Sequence, residues 1–183
     1  TLYNDDVNVP AVMYGMRVDE KTAEQYVPFG CTEFVIQGQS TGTPNICINL
    51  LKLLTIYMND GIDPIDGKRK SGPVSLKKLE EYQTFEEFYD GYKALLDYYL
   101  DLSVKAQYHS YEVMNQHVSF LFTSLLTDDC IARGKALLDG GVRYLGGTNE
   151  TYGNINTSAS LWVIRDLVFN QKKYTLRQLN DAM

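Results

Sequence analysis

The sequence predicts an α/β protein that is rich in helix and poor in strand, on three observations. Helix-start signals followed by apolar residues at helical spacing recur along most of the chain. Short apolar runs bounded by Gly and Pro are few and fall between those helices, so strand and helix pieces alternate in mixed order. The stretch from Ile46 to Met58 is apolar nearly all round, a pattern that belongs to a buried helix, yet too few strands are present to close a sheet around it.

Taken in order, Asp19 caps a short helix that runs through Tyr26, with acidic residues in the first turn where the helix dipole favours them; Pro28 ends it. Apolar Tyr26-Val27-Pro28-Phe29 and Phe34-Val35-Ile36 flank Gly30, and since Pro28 and Gly30 both interrupt a helix, this segment is expected to be a buried, bent strand or turn. Thr43-Pro44 reads as a cap followed by proline at the first helical position, opening a helix that stops at Gly61 and puts Leu50, Leu53, Leu54 and Tyr57 on one face. Lys68-Arg69-Lys70 lies between Asp66-Gly67 and Ser71-Gly72-Pro73 and reads as a solvated loop. Thr84-Phe85-Glu86-Glu87 is a capping box, and the spacing of Phe88, Tyr92, Leu95, Leu96 and Tyr99 predicts a long helix continuing through Val104, Tyr108, Tyr111 and Met114. Its tyrosines are expected to pack while keeping their hydroxyls bonded.

Thr127-Asp128-Asp129 reads as the cap of another helix ending near Gly140-Gly141, and Val142 to Leu145 then has the length and side chains of a strand. Gly146 to Gly153 reads as a turn-rich loop, with Asn149-Glu150-Thr151 and Asn156-Thr157-Ser158 as turn and cap residues rather than glycosylation acceptors. Ser158 to Phe169 is expected to be an amphipathic helix with Leu161, Ile164, Leu167 and Val168 inward and Trp162 packed, and a last helix begins at Thr175.

At 183 residues and 44% hydrophobic content the chain can bury a core, and its net charge of -6 favours neither nucleic acid nor an anionic membrane surface. Three cysteines and two histidines are too few and too scattered for a disulfide framework or a zinc ligand set, which fits a reducing, cytoplasmic setting. The longest apolar stretch is too short to span a bilayer. The chain starts at Thr1 and stops at Met183 just after a helix has begun, so it is expected to be an excised piece of a single larger domain.

The chemistry concentrates at Gly30-Cys31-Thr32-Glu33, where a thiol and a carboxylate stand two residues apart in an apolar segment. Burial raises a carboxylate's pKa towards the range of a base or acid working near neutrality. The same burial keeps a thiol protonated, and with no His nearby in sequence such a thiol suits hydrogen-atom transfer better than thiolate attack. The plainer alternatives are a packed small hydrophobe for Cys31 and a carboxylate satisfied by backbone amides for Glu33.

Asn4-Asp5-Asp6, Tyr26 to Glu33, and Asn49-Leu50-Leu51-Lys52 ending in Asn59-Asp60-Gly61 resemble the thiyl-radical region of glycyl radical enzymes, the pyruvate formate-lyase superfamily. Leu126-Thr127-Asp128-Asp129-Cys130-Ile131-Ala132-Arg133-Gly134, then Gly140-Gly141-Val142-Arg143-Tyr144 and Leu167-Val168-Phe169, look like the segment that follows the cysteine in the same family, so the likeness covers nearly the whole chain. The resemblance implies a ten-stranded α/β barrel wrapped by helices, with the cysteine on an inner finger loop. It implies Cys31 as the thiyl radical site and Glu33 as a base acting on a substrate hydroxyl. It further implies no directly bound cofactor, a radical held on a glycine outside this chain, an activating enzyme that uses S-adenosylmethionine and an iron-sulfur cluster, a small-molecule substrate and a homodimer in the full-length protein. Thr32 stands where pyruvate formate-lyase has a second cysteine, which points to the dehydratase and lyase branch. Phe34, where many of that branch have Pro, leaves the substrate open, and the Arg-Val-x-Gly radical motif is absent from these 183 residues.

Cys47 and Cys130 read as packing residues within helices, and His109 and His117 as ordinary surface or packing residues. Gln37, Gln39 and Ser40 fit either a substrate pocket or a turn held by side chain to backbone hydrogen bonds. Two classes of function follow: a radical dehydratase or lyase of a small hydroxylated or carboxylated metabolite, or a non-catalytic relative that keeps the scaffold.

Overall fold

A computed structural model describes residues 4–30, 33–41, 44–145 and 148–182, and divides them into two compact units. The first comprises residues 1–46 and 104–149, the second 47–103 and 150–183. The α/β class with helix predominant is what the chain adopts.

In the first unit, α1 (Asp5–Met16) is capped by Asn4, whose side chain accepts from the Asp6 amide, and Pro10 lies inside it. This helix is missed in the sequence because Pro10 reads as a break and its apolar residues follow no helical stripe. Asp19 caps α2 (Glu20–Ala23) as expected, but that helix is one turn long, and Tyr26 already belongs to the next element. That element is an antiparallel hairpin of β1 (Tyr26–Phe29) and β2 (Glu33–Ile36), in register from Tyr26 opposite Ile36 to Phe29 opposite Glu33. The bent-strand expectation holds for the backbone and for β2, but not for β1, whose Val27 and Phe29 are exposed. Among the described residues β1 pairs with β2 on one side, and Pro28, which has no amide hydrogen, is accommodated there.

Thr127 to Gly141 departs further from expectation. The helix is only α6 (Cys130–Arg133), preceded by α5 (Leu121–Leu125) and stopped by Gly134 at φ +62°; a separate single turn follows at Leu137–Asp139. Asp129 does not cap it, because its carboxylate is taken by two arginines. Residues 142–145 make one parallel bridge, Ser40 to Tyr144, in place of a strand.

Where the chain passes from the first unit into the second, the expected helix start at Thr43 is displaced by six residues; Thr43 itself lies outside the described residues. Pro44–Asn49 is strand β3, consistent with β-branched Ile46 and Ile48, and Asn49 is the true cap of α3 (Leu50–Met58), accepting from the Lys52 amide. The strand paired with it is β4 (Thr148–Tyr152), in the segment that reads as a loop. Its Thr-Asn-Glu-Thr-Tyr sequence carries no apolar alternation, so the pairing is a tertiary effect. The adjoining Gly146 and Gly147 lie outside the described residues.

The core of this unit is aromatic. Tyr57 of α3 packs 4.9 Å from Phe88, which lies in α4 (Phe85–His117), and donates its hydroxyl to the Phe88 carbonyl at 2.8 Å. Tyr82 and Tyr92 complete the cluster around Tyr57. Burial of Phe88 alone contributes about 1.5–3 kcal/mol. Gly91 sits on the same face, where any side chain would collide with the Tyr57 hydroxyl. The capping role of Thr84 holds, its hydroxyl accepting from the Glu87 amide, although Glu87 returns to the Gln83 amide instead of that of Thr84. The expectation for the tyrosines holds for Tyr92, which donates to the Leu50 carbonyl, and Tyr99, which donates to that of Lys70, but not for Tyr108, which is exposed; burial pushes the Tyr92 phenol up to about 12.

α7 (Asn154–Val163) is a regular helix that continues as a seven-residue π-helical stretch, Ile164–Asn170. Ile164 is buried as expected, but Trp162 is 66% exposed. Thr175 opens α8 (Leu176–Asp181) through a full capping box with Gln178. No helix among the described residues is long and apolar enough to cross a membrane.

Candidate functional site

The hairpin carries the candidate chemistry. Glu33 opens β2 and is only 5% exposed. Gly30 closes β1 at φ +56°, a left-handed conformation that costs glycine little and a side chain more. A Cβ on Gly30 would stand 2.8 Å and 3.0 Å from the two Glu33 carboxylate oxygens, so the carboxylate lies directly over the bare α-carbon. Gly30 therefore serves both the turn and the room that Glu33 occupies. Gly30→Ala is expected to cost about 1–3 kcal/mol from the backbone conformation, and more from the carboxylate it displaces; a thermal melt of the variant beside wild type measures it. Cys31 and Thr32 follow Gly30 in sequence and lie outside the described residues.

Both strands are anchored where the hairpin begins. On the β1 side, the Tyr26 hydroxyl donates to Asp5 at 2.7 Å and accepts from the Asn8 amide at 3.2 Å, while its ring meets Phe34 edge-on. On the β2 side the chain turns at Ile36, whose carbonyl accepts from the Gln39 and Ser40 amides. The Ser40 hydroxyl accepts from the Ile36 amide at 2.8 Å.

This turn is bound to residues a hundred positions further on. The Asp128 amide donates to the Gly38 carbonyl, and the Tyr144 amide to the Gln39 carbonyl, each at 2.9 Å. Arg143 reaches Gln39 Oε1 through Nη1 at 3.2 Å, and grips Asp129 with Nε at 2.8 Å and Nη2 at 3.1 Å. Arg133 adds a third bond to Asp129 at 3.2 Å. The Arg143 guanidinium, seconded by Arg133, holds the Asp129 carboxyl below the usual carboxylate range.

Of the residues weighed from the sequence, Ser40 holds the turn by a side chain to backbone bond, as the turn reading expects, whereas the Gln39 side chain bonds Arg143 instead; Gln37 is exposed. Cys130 is buried as expected, and burial pushes its thiol up. Cys47 is corrected: it lies in β3, not in a helix, is exposed, and donates to Glu150 at 3.6 Å. His109 and His117 are exposed on α4, and no cluster of three metal-binding side chains occurs among the described residues. Sequence reasoning missed the anchoring roles of Asp5, Asn8, Tyr26, Asp129 and Arg143. All five belong to the sequence blocks that carried the family resemblance or lie beside them, which was the available signal.

A family profile described as pyruvate formate lyase-like matches residues 1–183. Trans-4-hydroxy-L-proline dehydratase of Clostridioides difficile is 28% identical over 154 residues, which cover 84% of this chain and 19% of that protein. The probable dehydratase YbiW of Escherichia coli strain K12 is 26% identical over 98% of this chain and 22% of its own length. Among solved structures, hydroxyproline dehydratase from Clostridioides difficile superposes with a TM-score of 0.87 at 27% identity, covering 98% of this chain and 22% of that one. The B12-independent glycerol dehydratase from Clostridium butyricum gives 0.86, also at 27% identity and with the same coverage. The chain thus spans about a fifth of the length of these relatives and shares the fold of the matching portion. With a match along its entire length, the chain belongs to the pyruvate formate lyase-like family.

Proposed function

We propose that the full-length protein is a glycyl radical dehydratase or lyase acting on a small hydroxylated or carboxylated metabolite, with Cys31 as the thiyl site and Glu33 as the base. The observation that carries this is the buried Glu33 carboxylate packed over left-handed Gly30, the residue that precedes Cys31 in sequence, in a chain whose relatives include dehydratases and decarboxylases. A glycine radical outside this chain would supply one step only, removal of the hydrogen atom from the Cys31 thiol.

The Cys31 sulfur then takes a hydrogen atom from a substrate carbon that bears a hydroxyl, and S–H re-forms. Glu33 accepts the proton of that hydroxyl, and the resulting oxyanion radical can expel a leaving group, such as hydroxide, from the adjacent carbon. The Cys31 thiol returns its hydrogen atom to the product radical, restoring the thiyl.

The partners in this reading are an activating enzyme using S-adenosylmethionine and an iron-sulfur cluster, and a second copy of the chain in a homodimer; the setting is an anaerobic cytoplasm. The test is anaerobic electron paramagnetic resonance on the full-length protein after treatment with that activating enzyme. A glycine-centred doublet, followed by turnover of a small diol, amine or hydroxy acid, supports the reading. Silence, with the activating enzyme competent on a control, returns Cys31 and Glu33 to a structural role in a non-catalytic relative.

A further inference from the structure

We infer that Arg143 is a positioning residue for Glu33, acting through the turn that ends β2; the inference rests on the function proposed above. Among the described residues β2 pairs with β1, whose Val27 and Phe29 are exposed. The opposite end of β2 is different. Ile36, three residues from Glu33, is locked by Ser40, and the Gly38–Gln39 segment is tied through two backbone bonds to Asp128 and Tyr144. Arg143 adds a charged tie. Its guanidinium spans the Asp129 carboxylate and Gln39 Oε1 at once, joining the start of α6 to the residues after β2.

The chemistry of this tie is specific to arginine. Two parallel bonds to one carboxylate fix the plane of the guanidinium, which aims the remaining Nη1 hydrogens at Gln39. Lysine has the charge but not the fork. Gly38 contributes the close approach: at φ +74°, a Cβ there would stand 3.1 Å from Asp128 Oδ2, so a side chain at this position would press on the Asp128 carboxylate. Because Tyr26 and Ile36 face each other across the hairpin, the Asp5 and Asn8 bonds to Tyr26 and the Arg143 bond to Gln39 hold its two strands from opposite sides. A small displacement of a proton-accepting group costs rate steeply without weakening substrate binding in proportion.

The experiment uses the full-length protein as wild type, Arg143→Ala, Arg143→Lys and the exchanged pair Asp129→Arg with Arg143→Asp. Amide hydrogen exchange over residues 33–40 and steady-state kinetics are read on each, with the glycyl radical quantified. The expected result is faster exchange confined to residues 33–40 in Arg143→Ala, with kcat down about 10- to 100-fold, KM within about threefold and radical yield unchanged. Arg143→Lys should remain impaired, and free guanidinium added to Arg143→Ala should recover part of kcat. Unchanged exchange overturns the clamp, and faster exchange with wild-type kcat overturns the positioning role. If Arg143→Ala does not fold, Arg143→Lys and the exchanged pair decide by the same two criteria. A wild type that forms no radical and turns nothing over removes the functional reading and the catalytic half of this inference, while the exchange contrast still decides whether Arg143 holds the strand.

Discussion

Cys31→Ser in the full-length protein is expected to abolish turnover while leaving the glycyl radical formable. Serine keeps the size and the hydrogen-bonding ability of the side chain, but its O–H bond is far stronger than S–H, so a glycine radical cannot draw its hydrogen atom. The signature is a split between two measurements: the anaerobic glycine doublet should appear at wild-type intensity, and product formation should fall to the background of the unactivated protein. Retained turnover would remove Cys31 from the mechanism. Loss of the doublet itself would place the defect in activation, not in the substrate half of the reaction.

Glu33→Gln should be nearly as damaging to chemistry and far less so to the fold. The amide has the shape of the carboxylate and fits the same space over Gly30, so the hairpin should persist. What disappears is the proton acceptor. General base catalysis by a positioned carboxylate typically contributes about 10²- to 10⁴-fold, which is the expected loss in kcat. A thermal melt beside wild type separates this loss of chemistry from a loss of fold. A kcat within a few-fold of wild type would make Glu33 a structural carboxylate and leave proton transfer to another group.

The contrast between the two ends of the chain's logic explains what was legible in the sequence. Start signals that satisfy backbone amides locally could be read directly: Asp19 before α2, Thr84 before α4 and Thr175 before α8 all do what their residue types suggest. The pairing of β3 with β4 could not, because Thr148–Tyr152 becomes a strand through a partner a hundred residues away. Thr43-Pro44 misled for a related reason. Proline suits both the first turn of a helix and the first residue of a strand, and only Asn49, with a side chain able to reach the Lys52 amide, distinguishes the two in space.

The candidate site divides in the same way. The thiol and carboxylate are two residues apart and stand out in one dimension. Their support does not: Asp129 looks like a helix cap until Arg143 takes it, and Tyr26 looks like the end of a helix until Asp5 and Asn8 claim its hydroxyl. Side chains that bond over long separations leave no periodic trace, and they surfaced in the sequence only as parts of the blocks resembling a known family.

Gly91 carries an implication for how this scaffold can vary. Glycine inside a helix costs about 1 kcal/mol relative to alanine, so a stabilising campaign would choose this position early for replacement. The Tyr57 hydroxyl forbids it, since even a methyl group would meet that oxygen. Tyr57→Phe removes that oxygen and leaves Cζ of residue 57 and the Tyr82 hydroxyl each 3.1 Å from the added methyl, so Gly91→Ala should cost much less in that background. Gly91→Ala is therefore expected to depend on Tyr57→Phe, and a combinatorial library would show the glycine replacement enriched only in the phenylalanine background.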